Sequence, residues 1–130
     1  MSGEEYIYKY TRQQAIADGV LVDLSKNELS DMVREVGIKT PVAMTIGAWV
    51  QAIGLLDDPL PVGQSLNGRL WDVLTVLVYS IRMTKQNAPT VNFRVSVWNG
   101  KKHENVYLWA KIHPGDYGEP VITIMLQGED

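Results

Sequence analysis

The stretch from Asn67 to Lys85, NGRLWDVLTVLVYSIRMTK, constrains this chain more than any other. Between Leu70 and Met83 only Asp72, Thr75, Ser80 and Arg82 are neither apolar nor aromatic. Apolar residues recurring at helical spacing predict one helix of about five turns. Leu70, Trp71, Val73, Leu74, Leu77, Val78 and Ile81 form a broad apolar arc. Val76, Tyr79 and Met83 fall on the opposite side, among Arg69, Asp72 and Ser80. A helix apolar over most of its circumference is buried by more than one neighbour. The charged ends and the length are wrong for a membrane span, which needs roughly 20 apolar residues.

The rest of the chain must therefore supply cover. Thr11 to Gln14 reads as a capping box, so a short helix follows and stops at Gly19. Val20 to Leu24 is a brief extended segment. Ser25 to Glu28 reads as a second capping box. Leu29, Met32, Val33 and Val36 then define an amphipathic helix that closes at Gly37. After Thr40-Pro41 two readings stand: a helix with proline in its first turn, or an extended 41–44 with Thr45 as N-cap. A helix from Ile46 to Ile53 is common to both. Asp57 to Gly63 is a loop.

Beyond Pro89 the period changes to two. Thr90 to Trp98 and Lys101 to His113 flank Asn99-Gly100, a strong signal for a two-residue hairpin turn. Pairing Trp98 with Lys101 places Val91, Phe93, Val95 and Val97 on one face with Val106, Leu108, Ala110 and Ile112. Val121 to Leu126 is a third strand, with Ile122, Ile124 and Leu126 inward. Helices followed by strands make an α+β fold. The expected architecture is a single domain over 1–130. Its N-terminal helices and long central helix pack on a C-terminal three- to four-stranded antiparallel sheet. Val76, Tyr79 and Met83 need a second cover, from the N-terminal helices by preference or else from another subunit, and the tyrosine-rich segment Tyr6–Tyr10 is either an extended arm or a fourth strand.

Composition narrows function mostly by exclusion. A chain with 45% hydrophobic and 21% charged residues builds a real core. The absence of cysteine removes disulfides, thiolate metal sites and thiol catalysis, and fits a cytoplasmic setting. The N-terminal MSGEEYIYKY has no apolar run of a signal peptide. No phosphate-binding loop, dinucleotide fingerprint, zinc spacing or nucleophile elbow occurs. No cofactor and no metal site is expected. The net charge of -3 is unevenly spread. Arg82 to His113 contains six bases and one acid, a net +5, and the remainder contains six bases and fourteen acids, a net -8.

Three groups of residues are candidate binding elements. The outer hairpin face carries Asn92, Arg94, Ser96, Trp98, His103, Asn105, Tyr107, Trp109, Lys111 and His113. Rings interleaved with bases suit stacking on nucleic acid, but such domains carry a glycine-aromatic motif absent here, and the protein is acidic. Tryptophan, tyrosine and arginine also anchor protein interfaces, so a protein partner ranks above nucleic acid. The alternative is that half of this face is buried under the N-terminal helices. The second group is the 113–120 loop, where His113, Asp116 and Glu119 offer acid-base or oxygen-ligand chemistry. The same residue types also make an ordinary tight connection. The third is Arg69 and Asp72, spaced to pair across one helical turn.

Three blocks together, Tyr10 to Asp23 (YTRQQAIADGVLVD), Gly68 to Leu74 (GRLWDVL) and Gly115 to Met125 (GDYGEPVITIM), carry a resemblance. They resemble a family of small bacterial proteins of unknown function found on plasmids, phages and other mobile elements. The resemblance implies a bacterial or phage cytosolic context and action by binding a host component. It transfers no site to any position. The first expectation is a non-enzymatic binding protein, monomeric or homodimeric, with no membrane association. The second is a small enzyme or ligand binder with a pocket near His113, Asp116 and Glu119, joined by Tyr10, Arg12 and Asp72. The third is a nucleic-acid binder.

Overall fold

A computed structural model describes residues 10–54, 59–84 and 88–129. In chain order the elements are α1 (Arg12–Ala17), β1 (Leu21–Asp23), α2 (Asn27–Glu35), β2 (Val42–Thr45), α3 (Ile46–Ala52), α4 (Leu66–Met83), β3 (Thr90–Trp98), β4 (His103–Pro114) and β5 (Pro120–Leu126). The strands form one five-stranded sheet in the order β1-β2-β5-β4-β3. The fold is α+β, but the sheet is mixed rather than antiparallel. β3, β4 and β5 make the expected meander, and β2 adds to β5 in parallel. β1 closes that edge antiparallel to β2. Of the tyrosine-rich arm expected as an extra strand, all but Tyr10 lies outside the described residues.

The choice left open at 41–44 resolves as a strand. Thr45 then caps α3, its hydroxyl accepting from Ala48 N at 3.1 Å. Ser25 does not cap α2 as expected. Its Oγ accepts from Val42 N at 2.7 Å and so ties the β1–α2 turn to β2, leaving Lys26 at the cap position with no side-chain capping bond.

The hairpin register is shifted by two from the expected one: Trp98 pairs with His103 and Val91 with Ala110. Asn99 is the reason. Its N–H donates to Lys102 O, and its side-chain oxygen accepts from Lys101 N and Lys102 N, which closes a four-residue connection. An even shift preserves the faces, so Val91, Phe93, Val95, Val106, Leu108 and Ala110 are all buried as expected.

α4 lies across this inner face. Leu70, Val73, Leu74 and Leu77 are buried against a core that includes Phe93, Leu108, Ile122, Ile124, Val42 and Met44. Each such leucine contributes about 1.5–3 kcal/mol by leaving water. The far side of the helix is not covered by the N-terminal helices. Tyr79 is 66% and Met83 72% exposed, and Trp71, assigned above to the buried arc, is 39% exposed. α2 and α3 go instead to β1, β2 and one flank, where Val33, Ala48, Trp49 and Ala52 complete the core. β5 is the central strand. Val121 to Met125 are buried without alternation, because the outer face of β5 is covered as well.

Candidate functional site

α1 packs beside β1 and sends Arg12 over the outer face of β5, and it is built by reciprocal capping. Thr11 Oγ1 accepts from Gln14 N, and Gln14 Oε1 accepts from Thr11 N. The carboxylate of Asp116 accepts from Arg12 N at 2.8 Å and Gln13 N at 3.0 Å. These bonds fasten the first turn of α1 to the 113–120 loop. That loop is held by Gly115 N donating to Glu119 O, while Glu119 Oε1 accepts from Tyr117 N. Gly118 sits at φ 82°, where a side chain would be strained.

With α1 fixed, Arg12 crosses the sheet. Its Nη1 donates to Thr123 Oγ1 at 3.1 Å and its Nη2 reaches Ile122 O at 3.5 Å. His113 Nε2 lies 2.7 Å from the same hydroxyl, and His113 Nδ1 lies 3.0 Å from Pro114 O. A carbonyl only accepts, so Nδ1 carries the hydrogen in the neutral ring, and Nε2 accepts from the Thr123 hydroxyl. The result is a directed chain from guanidinium to hydroxyl to imidazole to carbonyl. Burial pushes the Arg12 pKa down, and Asp23, Asp116 and Glu119 oppose that shift. Arginine remains charged throughout the physiological range.

Beside this chain is a cleft of about 440 Å³, a small-ligand size. Tyr10, Arg12, Lys111, His113, Asp116 and Thr123 supply its polar wall, and Ala15, Val20, Leu21 and Met125 its apolar one. Tyr10 donates to Asp18 at 2.7 Å, which raises its pKa. A neighbouring hollow of about 370 Å³ brings Lys26 and Glu119 to the other side of Arg12 and Asp116.

The structure therefore joins His113 and Asp116 with Tyr10 and Arg12, and places Glu119 at the edge of the group. Asp72 and Arg69 do not belong to it. Arg69 is 9% exposed, and its donors go to Ile53 O at 2.7 Å, Trp98 O at 2.5 Å and Gln64 Oε1 at 3.2 Å. It does not pair with Asp72, which is exposed. Arg69 cross-links α3, α4 and the turn end of β3. That end is ten residues along β4 from His113, about 33 Å at ~3.3 Å per residue. The 113–120 loop and the start of α4 are at opposite ends of the sheet.

The outer hairpin face divides in two. Trp109 is half-buried, with an indole N–H that has no hydrogen-bond partner among the described residues. Arg94 and Tyr107 are an exposed cross-strand pair. Trp98 packs against His103 with ring centroids 5.0 Å apart. Thr123 was missed in the sequence. Its signal was available: it is the one hydroxyl in the otherwise apolar run VITIML.

Among the described residues no group of three His, Asp or Glu side chains is disposed to hold a metal ion. No described helix is long and apolar enough to cross a membrane. The chain belongs to a family of unknown function, DUF6573, whose model matches residues 1–130. Comparison with curated proteins and with solved structures found no match.

Proposed function

We propose that this member of a family of unknown function is a non-enzymatic binding protein that holds an anionic group in the cleft beside α1. One observation carries the reading. Arg12 and His113, from opposite ends of the sequence, converge on the Thr123 hydroxyl at the wall of a cleft that Lys111 also lines and whose second wall is apolar. The acids around Arg12 are already engaged: Asp116 caps α1, and Asp23, which acts on the guanidinium more strongly, accepts from Ser25 N and lies 3.8 Å from Lys26 Nζ. Lys111 makes no ion pair among the described residues. A carboxylate or phosphate there meets a guanidinium, an ammonium and a hydroxyl, and charge-assisted bonds of this kind are the strong ones. Titration of the ¹⁵N-labelled protein with inorganic phosphate tests this. Resonances of Arg12, Lys111, His113 and Thr123 should shift together, and Lys111→Gln should weaken binding about tenfold. Unmoved resonances at millimolar phosphate would refute it.

A second reading, a small enzyme, draws on the same hydrogen-bond chain. A hydroxyl that donates to an oriented imidazole is the arrangement of an activated nucleophile. It ranks second because Thr123 is only 7% exposed beneath Arg12. Labelling of Thr123 by an acyl-phosphonate probe would bring it forward.

The setting proposed with this function is the bacterial cytoplasm, on mobile-element or phage genomes. The resemblance of the three sequence blocks and the absence of cysteine support it. The protein would act as a monomer or homodimer on a macromolecular partner of the host. A protein is the partner class that the sequence favoured.

A further inference from the structure

We infer that the anionic group is a phosphate of a single-stranded nucleic acid, whose chain runs from the cleft along the outer face of β4 toward the β3–β4 turn. This rests on the reading of the cleft as an anion site. The observation behind it is what α1 leaves open. α1 covers the outer face at β1 and at the Thr123 end, while Asn92, Arg94, Asn105 and Tyr107 remain exposed. Residues two apart on a strand share a face about 6.6 Å apart. Walking from the cleft along β4, the face therefore presents Lys111, then the rings of Trp109 and Tyr107, then the amide of Asn105. Asn92 stands beside Trp109 and Arg94 beside Tyr107.

Two features of this face choose between partners. No Asp or Glu occupies the outer face of β3 or β4, in a chain of net charge -3. That favours a polyanion. Nor does any aliphatic side chain occupy it between Thr90 and His113. Its apolar surface is the rings of Trp109, Tyr107 and Trp98 alone, without the aliphatic packing that fills out the apolar core of a protein interface. Flat rings flanked by cations and by amides that both donate and accept are what unpaired bases require. The strand length accommodates on the order of five nucleotides, within the range of single-strand sites. Arg94 stands beside Tyr107, four residues along β4 from Lys111, so about 13 Å of strand at ~3.3 Å per residue separates the two cations, with room for a base on the rings between them.

The test is fluorescence anisotropy with a labelled mixed-sequence DNA decamer, run beside the phosphate titration of the cleft. With three cations engaged, the logarithm of the affinity should fall with that of salt at a slope of about -2. Arg94→Ala should flatten the slope by about 0.7. Tyr107→Ala should cost roughly 5- to 150-fold, the loss of one stacked base. Both side chains are exposed, so the fold survives, and both variants should bind inorganic phosphate as the parent does. If phosphate moves the cleft resonances but the decamer does not bind, the nucleic-acid inference falls and the cleft reading stands. A decamer indifferent to Arg94→Ala and Tyr107→Ala also overturns it. So does a polyglutamate peptide that binds as tightly at equal charge, which would transfer the face to an acidic protein. Failure of phosphate itself removes the cleft reading first.

Discussion

Arg69 offers the sharpest test of how this fold is held. Its guanidinium is buried and satisfied by two main-chain carbonyls and one amide oxygen, with no carboxylate among its hydrogen-bond partners in the described residues. Arg69→Met keeps the stem and its packing but removes the head. Hydrogen bonds to a charged group contribute about 1.5–3 kcal/mol each. The carbonyls of Ile53 and Trp98 would lose their donor in a region closed to solvent. Counting those two bonds, and giving little weight to the longer Gln64 contact, the loss should be about 3–6 kcal/mol. That is a large part of the 5–15 kcal/mol typical of a domain. In urea denaturation the midpoint should drop with an unchanged slope. The melting temperature should fall by roughly 10–20 °C for a chain of this length. Arg69→Lys should fall between, since one ammonium cannot span carbonyls on two elements. A loss below about 1 kcal/mol for Arg69→Met would mean that the cross-link is ornamental and that α4 is positioned by its leucines alone.

Other consequences follow from the same structure. Leu74→Ala in the buried seam of α4 should cost about 2–5 kcal/mol, and Tyr79→Ala on the open side less than about 0.5 kcal/mol, as chemical denaturation would show. Asp116→Ala removes the distant cap of α1 and should cost about 1 kcal/mol. It should also release α1 from the sheet, which faster amide exchange at Ala15 to Asp18 would report. Trp109→Phe deletes a buried N–H that lacks a partner among the described residues, so calorimetry should find it neutral or mildly stabilising in spite of the smaller ring. The Tyr10 phenol is favoured in its protonated form by its bond to Asp18. Its folded pKa is raised, so this contribution is present below the ordinary tyrosine value of about 10 and is lost as pH rises through the higher folded value. Asp18→Asn should bring the alkaline titration of Tyr10, read by difference absorbance against Tyr10→Phe, to lower pH.

Much of the architecture was legible because its determinants are local. The capping box at Thr11, the stop at Gly37 and the buried seam of α4 follow from residues three or four apart. The inward and outward faces of the hairpin also followed from alternation. They survived a register wrong by two because side-chain direction depends only on parity. Where a local motif had two uses, the sequence misled. Ser25 has the spacing of a cap but bonds β2, and Arg69 has the spacing to pair with Asp72 but turns to carbonyls 16 and 29 residues away. The candidate site was half visible. His113 and Asp116 stood out, and Arg12 was named with them, but Thr123 was passed over and Asp72 wrongly included.

The sequence alone settled most of which residues are helical or extended, leaving 41–44 open, along with the apolar faces of the hairpin and which chemistries lack the residues to occur. Only the tertiary structure decided that β2 joins β5 in parallel and completes a mixed sheet. Main-chain hydrogen bonds carry no record of which strand they will meet. The structure likewise decided that Tyr79 and Met83 stay in water, and that Arg12 meets Thr123 and His113 across more than a hundred residues of chain. Such meetings depend on how whole elements pack, and a spacing along the chain does not encode them.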